Sequence, residues 1–358
     1  MTNSSDKNNS ATSFGWGINK CLRKNIQNLK PYSSARSEYA GEAMVFLDAN
    51  ENPFNQPYNR YPDPQQKAVK EKVATVKKMA PENIFLGNGS DEAIDLLIRA
   101  FCEPGVDNIV TIAPTYGMYQ VAADVSDIEV RQVALTDDFQ LDKSKVLAAT
   151  SDNTKLIFLC SPNNPTGNSL NKEAMLELVS EFNGIVIVDE AYIDFAPEKT
   201  LMAELKSCPN MVILQTFSKA WGMAGLRLGM AFADTEIINV LNKIKYPYNL
   251  NVLIQEKALE LLDKKDTVQK WVSLIVAERE KMKQLLVELP FVVKVYPSDA
   301  NFLLVQMHDA TGIYNYLVEE GIIVRDRSKI NLCNSCLRIT IGSPDENTTL
   351  LNALKRLI

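Results

Sequence analysis

The chain has 358 residues, 46% of them hydrophobic and 23% charged. At ~150 residues per domain, that is an ordinary soluble composition with room for about two domains, and it excludes intrinsic disorder for the bulk of the chain. Lys plus Arg total 38 against 44 Asp plus Glu, a net charge of −6, which argues against nucleic acid as the main partner and leaves a small anionic substrate compatible.

The opening stretch, residues 1–20, is polar, and its MTNSSDKNNSATSFG start lacks the apolar core of a secretory signal. No apolar run reaches the roughly 18 residues of a membrane helix. A cytoplasmic protein with a frayed tail is expected. Residues 21–50 are too few to fold alone and are expected to pack on a second, smaller domain and on the substrate site. A large domain is expected over 51–265. There, strand-length apolar runs at 108–113, 155–160, 184–188, 211–216 and 228–232 alternate with helical stretches such as 91–101 and 171–182. Each run is aliphatic on both faces, as buried parallel strands are. The alternation predicts an α/β fold with a mostly parallel sheet flanked by helices. From about 266 to 358 the character changes. A charged helix at 271–289 leads to strands at 292–296, 301–306, 322–325 and 337–341, with helices at 311–320 and 345–357, which reads as a small α+β domain.

Six cysteines are scattered along the chain, mostly in apolar runs, and read as buried free thiols. Cys333 and Cys336 form a lone CxxC. With no second CxxC and with His308 as the only histidine, no metal is expected and a histidine-based triad is disfavoured.

The chemistry gathers at strand ends, where open α/β sheets bind ligands. Lys219, in Thr216-Phe217-Ser218-Lys219, emerges from the 211–216 run. It is either a solvated surface charge or a buried amine that loses its proton readily and becomes a nucleophile. Arg227, between glycines and leucines, needs an anion partner if buried. Asp189 closes an aliphatic strand, at the same edge as Lys219 or as a plain helix cap. Gly87-Asn88-Gly89-Ser90-Asp91-Glu92 precedes an amphipathic helix whose N-terminus can attract a phosphate. It matches neither a dinucleotide fingerprint nor a Walker loop. Ser161-Pro162-Asn163-Asn164-Pro165-Thr166-Gly167 brings an amide to the edge, and Pro114-Thr115-Tyr116-Gly117 an aromatic ring. Lysine, carboxylate, amide, ring, helix end and arginine together suit pyridoxal 5′-phosphate (PLP), whose aldehyde, ring nitrogen, ring face and phosphate each need one of them.

These motifs resemble the fold-type I PLP-dependent aminotransferases, and within them the histidinol-phosphate branch, from about residue 25 to the C-terminus. Leu29-Lys30-Pro31-Tyr32, Leu47-Asp48-Ala49-Asn50-Glu51-Asn52-Pro53, Arg60-Tyr61-Pro62-Asp63-Pro64, the stretch 114–119 and Cys336-Leu337-Arg338-Ile339-Thr340 complete the match. The resemblance implies that Lys219 bonds the cofactor and shuttles a proton, and that Asp189 pairs with the pyridinium nitrogen. It implies that Tyr192 and Asn164 bond the ring's phenolic oxygen and that Tyr116 stacks on the ring. Ser90, Asp91, Thr216, Ser218 and Arg227 fall in the phosphate region. Tyr61 would reach a neighbouring subunit's cofactor phosphate, which implies a homodimer. Arg338 would hold the carboxylate of glutamate or the phosphate of histidinol phosphate, Arg325 would be a second phosphate arginine, and Tyr32 would cover the substrate. The implied reaction is a ping-pong exchange of an amino group between glutamate/2-oxoglutarate and imidazole-acetol phosphate/histidinol phosphate. An aromatic aminotransferase or a threonine-phosphate decarboxylase is the alternative on the same scaffold.

Overall fold

The aliphatic runs do form the centre of a sheet. The computed structural model describes residues 17–32 and 45–358. Seven strands, β1 (Ile84–Asn88), β2 (Asn108–Ala113), β3 (Glu129–Ala134), β4 (Thr154–Cys160), β5 (Ile185–Asp189), β6 (Met211–Thr216) and β7 (Leu228–Phe232), lie in the order β1-β7-β6-β5-β4-β2-β3. Alternate residues feed two apolar layers. Ile157, Leu159, Val186, Val188 and Ile213 face one; Leu156, Phe158, Ile187, Val212 and Leu214 face the other. With helices covering both faces, the central strands carry no polar side.

β7 was expected among the parallel strands. It runs antiparallel to both β6 and β1, while the other six strands run the same way. Burial is complete along β7, so its composition cannot reveal its direction. The reversal has a geometric result. The residue entering β7, Arg227, stands at the edge where β5 and β6 end, because Thr216 is opposite Gly229 and Asn88 opposite Leu228.

A second sheet, wholly antiparallel, orders β10 (Arg325–Asp326), β11 (Cys336–Thr340), β9 (Phe302–Met307) and β8 (Val292–Val295) as β10-β11-β9-β8. The strand expected at 322–325 is only the two-residue β10; before it the chain follows the turn at Gly321 rather than pairing. The long helix spans Lys265–Val287. One side of this unit has its own core, around Met282, Leu303, Val305, Leu337 and Ile339. Its other side, with Ala300, Phe302, Leu304, Cys333 and Cys336, merges with the core of the large sheet.

The described part of the N-terminal segment packs differently from expectation. Ile18, Cys21 and Leu22 join the layer of the large sheet that contains Ile94, Leu97 and Ile237. Arg23 donates to the Arg99 carbonyl and pairs with Glu103, and Lys243 donates to the carbonyls of Ile26 and Gln27. The apolar triplet needs an apolar groove, and the helices of the large sheet supply it rather than the small unit. The tail at 1–16 and the stretch 33–44 lie outside the described residues.

Candidate functional site

A cleft opens at the C-terminal edge of the parallel strands. Ser90, Asp91, Tyr116, Asn164, Asp189, Tyr192, Thr216, Ser218, Lys219 and Arg227 all line it, with Gly89, Cys160 and Ala191. Ten of the fourteen residues singled out in the sequence are therefore neighbours in space.

One end is built for an anion. The helix Ser90–Phe101 begins at Gly89 with no described side chain capping its first N–H groups. Those free donors and the helix dipole make a positive end. The Gly89 amide donates to the Arg227 carbonyl at 2.7 Å. Gly89 has φ +77°, and a Cβ there would come within 2.6 Å of Arg227 Nη2; a Cβ on Gly229 would collide with the Ser90 amide. Glycine is thus the residue that lets helix start, guanidinium and β7 converge. Thr216 and Ser218 add hydroxyls, with Thr216 Oγ1 donating to Ser218 Oγ at 3.0 Å. The Asp91 carboxylate would repel an anion, but Tyr116 Oη donates to it at 3.1 Å and Arg227 Nη2 lies 3.4 Å away. Asp91 therefore offers its backbone N–H and uses its side chain to place Tyr116 and Arg227.

The floor is a carboxylate. Asp189, 2% exposed, accepts from Tyr119 Oη at 2.7 Å through Oδ2 and from the Ala191 amide at 3.0 Å through Oδ1. Burial pushes its pKa up to about 6, while the two donors hold it down, so it is largely ionised at neutral pH. No described cation forms an ion pair with it. A buried carboxylate with two neutral donors and an open face toward a cleft is a seat for a cationic N–H.

Lys219 leaves β6 just past Ser218. Its side chain is exposed along the open cleft, yet the crowding of protein around it and the Arg338 guanidinium hold its ammonium below the usual lysine range. Lys219 is thus not the buried amine of the second reading, though its ammonium is held low as that reading expects. Its Nζ lies 5.4 Å from the centre of the Tyr192 ring. Tyr192 is buried, with its phenol pushed up by burial, and its hydroxyl has no hydrogen-bond partner among the described residues.

The substrate end is arginine-rich. Arg338 Nη1 donates to Asn164 Oδ1 at 2.5 Å, its guanidinium lies over the Phe302 ring at 5.3 Å, and its buried Nε has no partner. Arg325 is directly opposite Arg338 in the β10–β11 ladder. Asp326 does not pair with Arg325; it accepts from the Ser328 amide and Thr311 Oγ1. Arg327, which the sequence reading passed over, joins this group. Its Nε is also buried without a partner, and both Arg338 and Arg325 act on its charge. Asp326 is turned to Ser328 and Thr311, and no ion pair with a described carboxylate neutralises these three arginines, so together they can receive an anion.

Of the four expected residues that do not line the cleft, Arg338 reaches it through Asn164 and Arg325 lies opposite Arg338, while two stand apart. Tyr61 is 51% exposed and stacks on Tyr248 with ring centres 4.4 Å apart. Tyr32 is 71% exposed. Tyr119 is the other residue the sequence did not reveal. Its partner, Asp189, is 70 positions away, beyond any local pattern.

Comparisons with known proteins place the chain in a family. The family model for aminotransferase class I and II matches residues 38–354. The histidinol-phosphate aminotransferase of Parabacteroides distasonis is 58% identical over 336 residues, covering 94% of this chain and 97% of that protein. The crystal structure of the histidinol-phosphate aminotransferase from Clostridium acetobutylicum superposes with a TM-score of 0.77 at 26% identity, over 84% of this chain and 91% of that one. That of the Sinorhizobium meliloti enzyme in complex with pyridoxal 5′-phosphate gives 0.76 at 24%, over 84% of each chain, a likeness of fold.

Proposed function

We propose, from the premise that this chain belongs to the class I and II aminotransferase family, that it exchanges an amino group between glutamate/2-oxoglutarate and imidazole-acetol phosphate/histidinol phosphate, a step of histidine biosynthesis. The observation that carries the reading is the arginine group around Arg338, which bonds Asn164 of the cleft that also holds an amine, a buried carboxylate and a helix N-terminus.

The donor set fits PLP. The uncapped helix end beside Arg227, with glycine required at 89 and 229, suits its phosphate. The unpaired Asp189 carboxylate suits its protonated ring nitrogen, Tyr116 its ring face, and Tyr192 and Asn164 its phenolic oxygen. When bound, the cofactor supplies a sink for the electron pair left as the substrate Cα–H bond breaks.

The remaining work belongs to this chain. Lys219 Nζ would hold the cofactor at its aldehyde carbon and would be the base that takes the proton from the substrate Cα; a lowered pKa suits a base at neutral pH. Asp189 would keep that ring nitrogen protonated. Arg338, steadied by Asn164 and Phe302, binds the carboxylate of glutamate in one half-reaction and the phosphate in the other. Arg325 and Arg327 add the charge that a dianion needs and a carboxylate does not. Cys160, buried at the floor with its thiol pushed up, stays neutral beside Asp189.

Among the described residues no helix is long and apolar enough to cross a membrane, in keeping with a small-molecule enzyme working in the cytoplasm. The exposed side chains of Leu47, Phe54, Tyr58, Tyr61 and Tyr246 support a homodimer in which Tyr61 reaches the neighbouring cofactor phosphate. Residues 51–265 form the cofactor-binding part and 266–358 carry the substrate arginines.

A half-reaction screen tests the proposal. The PLP form is mixed with histidinol phosphate, glutamate, phenylalanine or threonine phosphate, and its absorbance is followed to the amine form. Rapid conversion by the first two supports it. Conversion by phenylalanine alone, or release of CO2 from threonine phosphate, overturns it in favour of the corresponding alternative.

A further inference from the structure

Asp189 has two described hydrogen-bond donors, and one comes from an unexpected place. Tyr119 lies in the first turn of the helix Met118–Val125, is 1% exposed, and donates from Oη to Asp189 Oδ2 at 2.7 Å. Its ring is clamped, stacked on Phe158 at 4.8 Å and set edge-on to Tyr116 at 5.5 Å. Burial raises its phenol well above the ordinary range, so it remains a donor at every pH the enzyme meets.

A bare carboxylate in this layer would be expensive to bury and free to turn about its terminal bond. The Ala191 amide fixes one oxygen and Tyr119 the other. An ionised carboxylate has about four lone-pair sites, and those left over are the ones that face the cleft. We infer that Tyr119 is a positioning residue: its hydroxyl fixes the Asp189 carboxylate, ionised and in one orientation, for the cofactor's ring nitrogen. The inference rests on the reading that Asp189 meets that nitrogen. The simpler alternative is that the bond only satisfies a buried phenol, in which case the cofactor would not feel its loss.

The two differ in what they predict for binding. Tyr119→Phe removes the hydroxyl and keeps the ring in its stack. Binding to the apoenzyme is measured by fluorescence titration with PLP and with its carbocyclic analogue, in which C–H replaces the ring nitrogen. The variant should bind PLP about tenfold more weakly, consistent with a lost hydrogen bond to a charged group, and bind the analogue within about twofold of the parent. In an Asp189→Asn background, Tyr119→Phe should change PLP affinity by less than about twofold, because the acceptor it serves has lost its charge. Equal losses for PLP and the analogue make Tyr119 a structural residue and overturn the inference, as does no loss for either. A full tenfold loss in the Asp189→Asn background overturns it too. If the parent protein itself does not distinguish PLP from the analogue, the reading of Asp189 fails and takes the inference with it, a result separable from the others because no variant is involved. Circular dichroism and the thermal midpoint of each apoprotein verify folding. If Tyr119→Phe does not fold, Ala191→Pro, which removes the other donor to Asp189, is titrated with the same pair, and an equal loss for both molecules again overturns the inference.

Discussion

Arg325 and Arg338 are cross-strand partners, and directly opposed side chains have Cβ atoms roughly 5 Å apart. Two guanidinium groups at that spacing repel; like charges in such a pair cost about 0.2–1 kcal/mol of stability, unless an anion sits between them. Arg325→Gln should therefore do two opposite things. Without substrate it removes repulsion, so the thermal midpoint of the apoprotein should stay level or rise slightly. With histidinol phosphate it removes a charge-assisted contact of about 1.5–3 kcal/mol, or roughly 10- to 150-fold in kcat/KM. Arg338 and Arg327 remain, and Arg325 is exposed, so the lower end is expected and added salt should shrink the difference. The assay is kcat/KM for histidinol phosphate and for phenylalanine, in parent and variant, at two ionic strengths. Phenylalanine has no phosphate and should lose clearly less. Equal loss for both substrates, or loss for neither, refutes the phosphate-selecting role and favours an aromatic aminotransferase.

Lys219→Ala should purify folded and retain PLP, since ring and phosphate contacts come from other residues, but show no turnover without added amines; spectroscopy of the purified protein and a steady-state assay check both halves. Asp189→Asn should slow the glutamate half-reaction at least about 100-fold in stopped flow, with little change in the thermal midpoint of the apoprotein; a near-parental rate would mean that another carboxylate serves the ring nitrogen. Glu190 is buried, accepting from Thr200 Oγ1, the Leu201 amide and Gln215 Nε2, and burial pushes its pKa up to about 7. A folded-state pKa above the unfolded value of about 4.3 favours the folded form in acid. That stability is lost as pH rises through about 7. Glu190→Gln cannot titrate, so its thermal midpoint relative to the parent should climb between pH 5 and 8, whatever constant penalty the amide brings; a flat difference refutes the shift.

The central strands were legible because burial on both faces left an unbroken aliphatic record, as in Ile185–Val188. β1 and β3 were not. β3 is one of the sheet's two edges, and its Glu129, Arg131 and Gln132 give it the polarity of a loop. Lys219, Asp189 and Arg227 stood out because each interrupts or ends an apolar run, a local signal. Tyr119 and Arg327 gave no such signal. A tyrosine in an amphipathic turn reads as core, and an arginine beside Asp326 reads as surface; only the tertiary fold brings the first to Asp189 and the second to Arg338. The N-terminal triplet Ile18, Cys21 and Leu22 shows its apolar face but not which groove receives it.

The reversed direction of β7 has a mechanical consequence. The chain leaves the cleft after Lys219, turns through residues 220–226, and returns at Arg227. One short excursion therefore carries both the amine and the guanidinium, the two groups proposed above to hold opposite ends of the same small molecule. Surface connections usually accept extra residues at small entropic cost. This one acts as a gauge block. Its Ala220, Trp221 and Met223 are buried in the core, so its length is held by packing, and lengthening it would move one jaw of the proposed grip against the other.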